Sequence, residues 1–543
     1  MFRRPSNFVG LVVALIFFWA SLTPSLLPRA WLFQGVVSGL SAVGGYGIGS
    51  AISALVRRFA RGEHKSKQRR IGWIILAVAA AFGSVVMLWQ SHRWQNELRA
   101  LVGIEDEPDF SGLGVLIVTV VTGGVVLVGA RFARSLTRFL IRQVDRIAPK
   151  PVSITVGVVL AVAVLVGIFQ GFLWRGAMSA INEASSIADG RTNDGTEQPA
   201  TSERSGGPDS FVTWDSLGRQ GREFVGRGPT LSDLETFYDP DCCEEPIRVY
   251  VGLDSADSAE KRAALAVQEL ERTGAFDRRI LAVFTATGTG WINPKVADSL
   301  EYLHRGDTAE VSMQYSFLPS AVSFLVDQTK AEEAGQKLIA AVLRRVDDLP
   351  PAERPKILLF GESLGSYGTE QAFGDLDDMR AQVDGALLVG PTFANPIWEQ
   401  LTDGREQDSP QWLPSLPEEA GVYFARTPSD LEGVAENGVE PRVVYLQNAS
   451  DPITWWKPAL AYDKPDWAGL PAAPDRPPAF RWAPIVTFWQ VAMDLTDSLN
   501  VPAGHGHYFG SNVVDGWVAV LEPDGWSDGE TQRVREIVAP LDE

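Results

Sequence analysis

Apolar residues follow two regimes along the chain. In the first, they form five long stretches at residues 8–27, 31–55, 71–89, 113–130 and 154–174. Each approaches the roughly 20 residues that a helix needs to cross a bilayer. In the second, beginning near residue 247, they form short runs separated by amphipathic segments. Strands are predicted at 247–253, 280–286, 310–316, 356–361, 385–390 and 442–448. Helical spacing falls between them at 258–273, 331–346 and after 361. The run ILAVFTA (280–286) is nearly all apolar, as expected of a parallel strand buried on both faces. This alternation predicts an α/β domain with a mostly parallel sheet and helices on both sides.

These patterns divide the chain into a membrane domain at 1–175, a flexible linker at 176–210 and an α/β domain at 211–543. The linker assignment rests on a Ser-, Gly-, Thr-, Asp- and Glu-rich stretch without apolar periodicity. Two intervals near 391–440 and 453–500 interrupt the alternation and are rich in Trp, Pro and acidic residues. Both follow the C-terminal ends of strands, where open α/β sheets place their sites. They read as cap segments whose aromatics either wall a cleft or pack the insertions' own cores.

Charge sharpens the division. Residues 1–175 hold 19 Lys and Arg against 7 Asp and Glu; subtracting these from totals of 48 and 67 leaves 29 against 60 in the remainder. An acidic second half argues against nucleic acid as a partner. The basic residues of the first half concentrate in loops. Seven lie in 57–70, and Arg131, Arg134, Arg138, Arg142, Arg146 and Lys150 lie between the fourth and fifth stretches, whereas one intervening loop carries the acidic run 105–109. Basic loops stay in the cytoplasm. With the N-terminus inside, five crossings place the α/β domain outside, as a multi-pass protein of the cell membrane with an extracytoplasmic domain. No Asp, Glu, Lys or Arg sits in mid-span, so a transport pathway lacks its usual signature. GGYGIGS (44–50) reads as a close helix-packing surface. The only cysteines, Cys242 and Cys243, are adjacent and provide no disulfide framework. An outward-facing pair can still oxidise, although a bond between neighbours is strained.

The chemistry centres on GESLG (361–365). An apolar strand runs directly into it and a helix leaves it, which is the setting of a nucleophile elbow with Ser363 at its tip. Serine needs a base. Of the histidines beyond the membrane half, His304 precedes the serine and reads as a surface residue. GHGH (504–507) offers His505, favoured because glycines flank it, with His507 as the alternative base. The same H-x-H pair can bind metal, but a third ligand is not evident, so neither metal nor cofactor is expected. Asp451 follows the strand RVVYLQN and supplies the acid, with a turn before Pro452 as its plainer role. The order Ser363, Asp451, His505 is that of α/β-hydrolases. An oxyanion hole requires two amides: Leu364, immediately after the serine, and one from TGTGW (287–291), with Gly288, Thr289 and Gly290 as candidates.

Through GESLGSYG, ASDP, GHGH and the TGTGW loop, the chain resembles actinobacterial membrane-anchored α/β-hydrolases over nearly its whole length. That resemblance implies an α/β-hydrolase fold joined to a multi-span domain, and an ester-cleaving or acyl-transferring enzyme facing the cell envelope. Three functions follow from this reading: a serine esterase or lipase acting on an acyl ester or lipid-like substrate, an acyltransferase to an envelope glycan or glycolipid, and a non-catalytic membrane scaffold.

Overall fold

The computed structural model describes residues 7–59, 66–105, 110–434 and 438–541. The centre of the basic 57–70 segment and most of the acidic 105–109 run lie outside the described residues. The chain forms two compact units, Met1–Ala180 with Trp456–Asp497, and Ile181–Trp455 with Ser498–Glu543.

The first unit is helical: α1 (Phe8–Ser21), α2 (Trp31–Phe59), α3 (Ser66–Leu101), α4 (Gly112–Val144) and α5 (Lys150–Ile168). A π-helical turn, Phe169–Trp174, joins α5 to α6 (Arg175–Asp189). Four stretches, Trp31–Phe59, Arg70–Leu101, Gly112–Val144 and Lys150–Asp189, are long and apolar enough to cross a membrane. They fit a membrane-embedded N-terminal region. The first predicted span differs from them. At 14 residues, α1 extends about 21 Å at the α-helical rise, short of a hydrocarbon core about 30 Å thick. Glycines set how closely these helices approach. A Cβ on Gly45 would lie 2.8 Å from the Val13 carbonyl of α1, and one on Gly49 would lie 2.7 Å from that of Val9. The same would hold for Gly35 and Gly39 against the Val115 and Thr119 carbonyls of α4, each at 3.0 Å. The GGYGIGS segment therefore packs helices, as small residues do within membranes.

The predicted cap at 453–500 is largely part of this helical unit. Its helix Val486–Asp494 bonds the α1–α2 connection: Gln490 Nε2 donates to Thr23 O (2.8 Å) and Leu26 N donates to Asp494 Oδ2 (3.1 Å).

The second unit is built on seven parallel strands: β1 (Ile247–Val251), β2 (Ile280–Thr285), β3 (Thr308–Met313), β4 (Lys356–Glu362), β5 (Gly385–Val389), β6 (Val422–Ala425) and β7 (Arg442–Leu446), in the order β1-β3-β2-β4-β5-β7-β6. All but β4 and β6 are buried along their whole length, which explains the nearly unbroken apolar runs of β2 and β5, whereas β1 and β3 bury the charged Arg248 and Glu310. β6 lies within the predicted 391–440 cap. Its four residues instead extend the sheet edge beside β7.

The 176–210 linker also differs from expectation. Residues 175–189 are helical, and Asp189 accepts from the Arg219 amide (3.2 Å) and from Gln314 (3.1 Å). Farther on, Ser205 N bonds Arg248 O and Arg248 N bonds Glu203 O, so this polar stretch pairs along β1. Arg248 itself is buried and held by Asp298 and Glu301 at 2.6–2.7 Å. Cys242 and Cys243 are joined by a disulfide. His304 is buried rather than superficial, 7% exposed. Burial, assisted by the positive charges of Arg279 and Lys356, pushes its imidazole down to about 3.

Candidate active site

The site forms where three neighbouring strands, β4, β5 and β7, end. β4 delivers Ser363 into the first turn of the helix Leu364–Glu370. Ser363 has φ 56° and ψ −122°, a conformation that non-glycine residues rarely adopt and that marks a strained turn. The surroundings hold it there. Its amide donates to Val389 O of β5 (2.9 Å), and its carbonyl accepts from Ser366 N (3.0 Å) and Ser366 Oγ (2.7 Å). Gly361 is required by crowding, because a Cβ there would lie 2.6 Å from the Gly365 carbonyl; one on Gly365 would strike the Thr285 carbonyl of β2. Ser363 is only half-buried.

β7 leads into the candidate acid, Asp451. Asp451 is fully buried in the turn that follows, where Oδ1 accepts from Ile453 N (2.8 Å) and Oδ2 from Thr454 Oγ1 (3.2 Å). Its Oδ2 lies 2.6 Å from Nδ1 of His507. The carboxylate therefore holds His507, the alternative in the sequence reading, and not the favoured His505. The loop geometry explains this. Asn448 Nδ2 donates to the carbonyls of Gly506 (3.0 Å) and Tyr508 (3.2 Å), and Gly506 N donates to Ser450 Oγ (3.1 Å). These bonds tie the residues on both sides of His507 to the acid loop. His505 lies one step outside this clamp, in a turn closed by its amide on Pro502 O (3.2 Å).

The strand β5 connects the halves. Val389 takes the Ser363 amide, and the next residue, Gly390, lies so close to the His507 ring that a Cβ there would overlap Cε1 and come 2.8 Å from Nδ1. Phe509 closes another side of the ring edge-on, with centroids 5.7 Å apart. Glu362, beside the serine, is buried and accepts from Asn293 Nδ2 (3.0 Å). Burial raises its carboxyl above the usual range, His507 and Asn293 oppose this, and Asp451 reinforces it.

The amides expected to bind an oxyanion fall into two groups. Leu364 is the first helical residue, a position whose N–H has no acceptor within its own helix. In the TGTGW loop the Gly290 amide is engaged by Thr287 O (2.9 Å), and Thr287 N by Trp291 O (3.1 Å). Gly290 is thereby used in shaping the turn, which leaves Gly288 and Thr289 as the candidates for the second donor. Sequence reasoning missed Asn448, Ser450 and Gly390. The only signal for them was their place immediately after β7 and β5. Among the described residues no three His, Cys, Asp or Glu side chains gather as a metal site.

Comparisons with known proteins agree with this architecture. Residues 247–534 match the alpha/beta-hydrolase family, and residues 22–229 match the N-terminal region of an alpha/beta-hydrolase family. No curated protein and no solved structure matches. The first match covers more than half of the chain and includes Ser363, Asp451 and His507, and the protein belongs to the alpha/beta-hydrolase family.

Proposed function

We propose that this protein is a membrane-anchored serine hydrolase that cleaves an acyl ester through an acyl-enzyme on Ser363, with His507 as the base and Asp451 as the group that orients it. The observation carrying this reading is the 2.6 Å Asp451–His507 bond at the same sheet end as a serine with φ 56°. His507 Nε2 takes the hydroxyl proton as Ser363 Oγ attacks the ester carbonyl. Asp451 keeps the proton on Nδ1 and stabilises the imidazolium. Leu364 N–H, with Gly288 or Thr289, binds the oxyanion. Collapse of the adduct expels the alcohol, which receives the proton from His507. Water, activated by the same ring, then releases the acid and frees Ser363.

Four long apolar helices and the Trp-rich intervals 391–440 and 453–500 favour a lipid-like acyl substrate met at the bilayer. The basic segments 57–70 and 131–150, at the ends of α2–α3 and α4–α5, orient the protein independently of α1. With both segments in the cytoplasm, α5 exits on the outer side whether or not α1 crosses. Turnover of a chromogenic acyl ester by the full-length protein in detergent tests the assignment. Ser363→Ala and His507→Ala should each lose at least ~10³ of kcat/KM, whereas His505→Ala should stay within a few-fold of wild type. Equal activity in wild type and Ser363→Ala would defeat it.

A further inference from the structure

The TGTGW loop, which carries the candidates for the second oxyanion donor, has little of its own to hold it in place. Positions 288 and 290 are glycines, and its internal bonds, Thr287 N to Trp291 O and Gly290 N to Thr287 O, close the turn only on itself. Its position relative to Ser363 comes from contacts at both ends and at the tip, all of them within the hydrolase unit. At the start, β2 ends against the helix that follows the serine. Thr369 Oγ1 donates to Thr285 Oγ1 (2.8 Å), and the Thr285 carbonyl occupies the place a Cβ on Gly365 would need. At the other end, Asn293 is buried, and its Nδ2 donates to Oε2 of Glu362 (3.0 Å), the residue immediately before Ser363. Asn293 Oδ1 accepts from Lys295 N (3.0 Å) and caps the helix Pro294–Leu303, so one side chain fixes the loop exit in two directions. At the tip, the fully buried Tyr250 of β1 donates its hydroxyl to Gly290 O (2.6 Å).

We propose that Asn293, Glu362 and Tyr250 are positioning residues that brace the 287–292 loop against the serine elbow and thereby set the second oxyanion donor, Gly288 or Thr289, at its working distance from Ser363. The inference rests on the hydrolysis proposed above. A donor contributes fully only within about 2.7–3.1 Å of the developing oxyanion. A loop with no side chains at 288 and 290 to pack must be located by directional bonds instead. The Asn293–Glu362 bond does so at the most useful point, because its acceptor adjoins the nucleophile and its donor lies two residues beyond TGTGW. Loop and serine are thus referred to the same strand end. As a mere core contact the pair would bring little, since an apolar pair of the same shape is nearly neutral for stability. Its effect falls on the geometry of the transition state.

The test uses the full-length protein in detergent with p-nitrophenyl butyrate as substrate. An alkyl trifluoromethyl ketone, which adds to the serine as a tetrahedral anion, serves as the transition-state analogue. Fluorophosphonate labelling run to completion counts the active sites. For Asn293→Ala and Glu362→Leu, kcat per active site should fall at least about tenfold, a part of the ~10²–10³ that one oxyanion donor supplies, while KM changes less than about twofold. The Ki of the ketone should rise in step with the loss of kcat/KM, as expected of an interaction made in the transition state. Glu362→Gln keeps an oxygen that accepts from Asn293 and should recover most of what Glu362→Leu loses. Tyr250→Phe removes a single oxygen; it should lower kcat about threefold and serves where the other variants fail to fold. Wild-type kcat per active site in the folded variants, a loss confined to the number of active sites, or a Glu362→Gln as impaired as Glu362→Leu overturns the brace. A wild type that turns over the ester no faster than Ser363→Ala overturns the hydrolase reading, and the brace's role with it.

Discussion

Replacing Gly390 by alanine adds one methyl group at the point where the proposed base is held. Gly390 has φ 53°, and its Cβ would overlap His507 Cε1 and come 2.8 Å from Nδ1. The left-handed backbone costs alanine about 1–2 kcal/mol, a moderate loss of stability. The effect on chemistry should be larger. The ring is confined by Asp451 at 2.6 Å and by Phe509, so it escapes the methyl only by moving off one of them. A shift of about 1 Å lengthens the bond to Asp451 beyond hydrogen-bonding range. A misplacement of that size costs about 10²-fold, and loss of the acid's orienting role costs up to about 10⁴-fold. Gly390→Ala should therefore lower kcat/KM by ~10²–10⁴, or about 3–5 kcal/mol of transition-state stabilisation, while thermal unfolding shifts only modestly. Ester turnover and calorimetry on the same preparation separate the two effects. Gly374→Ala is the control, since a Cβ there meets nothing nearer than Asp378 Oδ2 at 3.7 Å. Near-wild-type turnover by Gly390→Ala would refute the placement of His507 as base.

Other consequences are open to measurement. Asn448→Ala removes the two bonds that clamp the 506–508 loop; it should cost about 1–3 kcal/mol of stability and lower kcat more than it raises KM, as steady-state kinetics would show. His304 is depressed to about 3 in the folded chain but titrates near 6.5 when unfolded. Its contribution is thus fully present above about pH 6.5 and is lost as pH falls toward 3, with a slope of up to ~1.4 kcal/mol per pH unit. Denaturant titrations across that range should show a steeper acid loss in wild type than in His304→Gln, and parallel curves would contradict the assignment. Alkaline phosphatase fused after Glu543 should be active and fused within 131–150 inactive; the reverse would place the hydrolase unit in the cytoplasm.

What the sequence revealed depended on how local the cause was. The elbow was legible because ILLF, Gly361, Ser363 and Gly365 are contiguous and their steric requirements arise within one turn. The buried parallel strands β2 and β5 were legible for a similar reason, since a strand covered on both faces is mostly apolar. β6 was not, because VYFA is only four residues long and sits at an edge inside a Trp- and Pro-rich interval. The choice between His505 and His507 depended on bonds from Asn448 and Ser450, more than 50 positions away, and flanking glycines carry no trace of that register. The polar composition of 190–210 concealed its pairing with β1, since backbone groups of any sequence can add to an exposed strand edge. The affiliation of 456–497 with the helical unit arises from a pairing of Asp494 with Arg29 across most of the chain, which no periodicity reports. α1 read as a span because apolar content continues to Leu27, whereas its helix stops at Ser21.

The account is tested most directly by locating the covalent adduct. Wild type, His505→Ala and His507→Ala would be treated with a limiting fluorophosphonate probe and analysed by peptide mass spectrometry over time. The expected result is one adduct, on Ser363, formed at similar rates in wild type and His505→Ala and at least ~10³-fold more slowly in His507→Ala. An adduct on another residue, or one whose rate depends on His505 and not on His507, would contradict it.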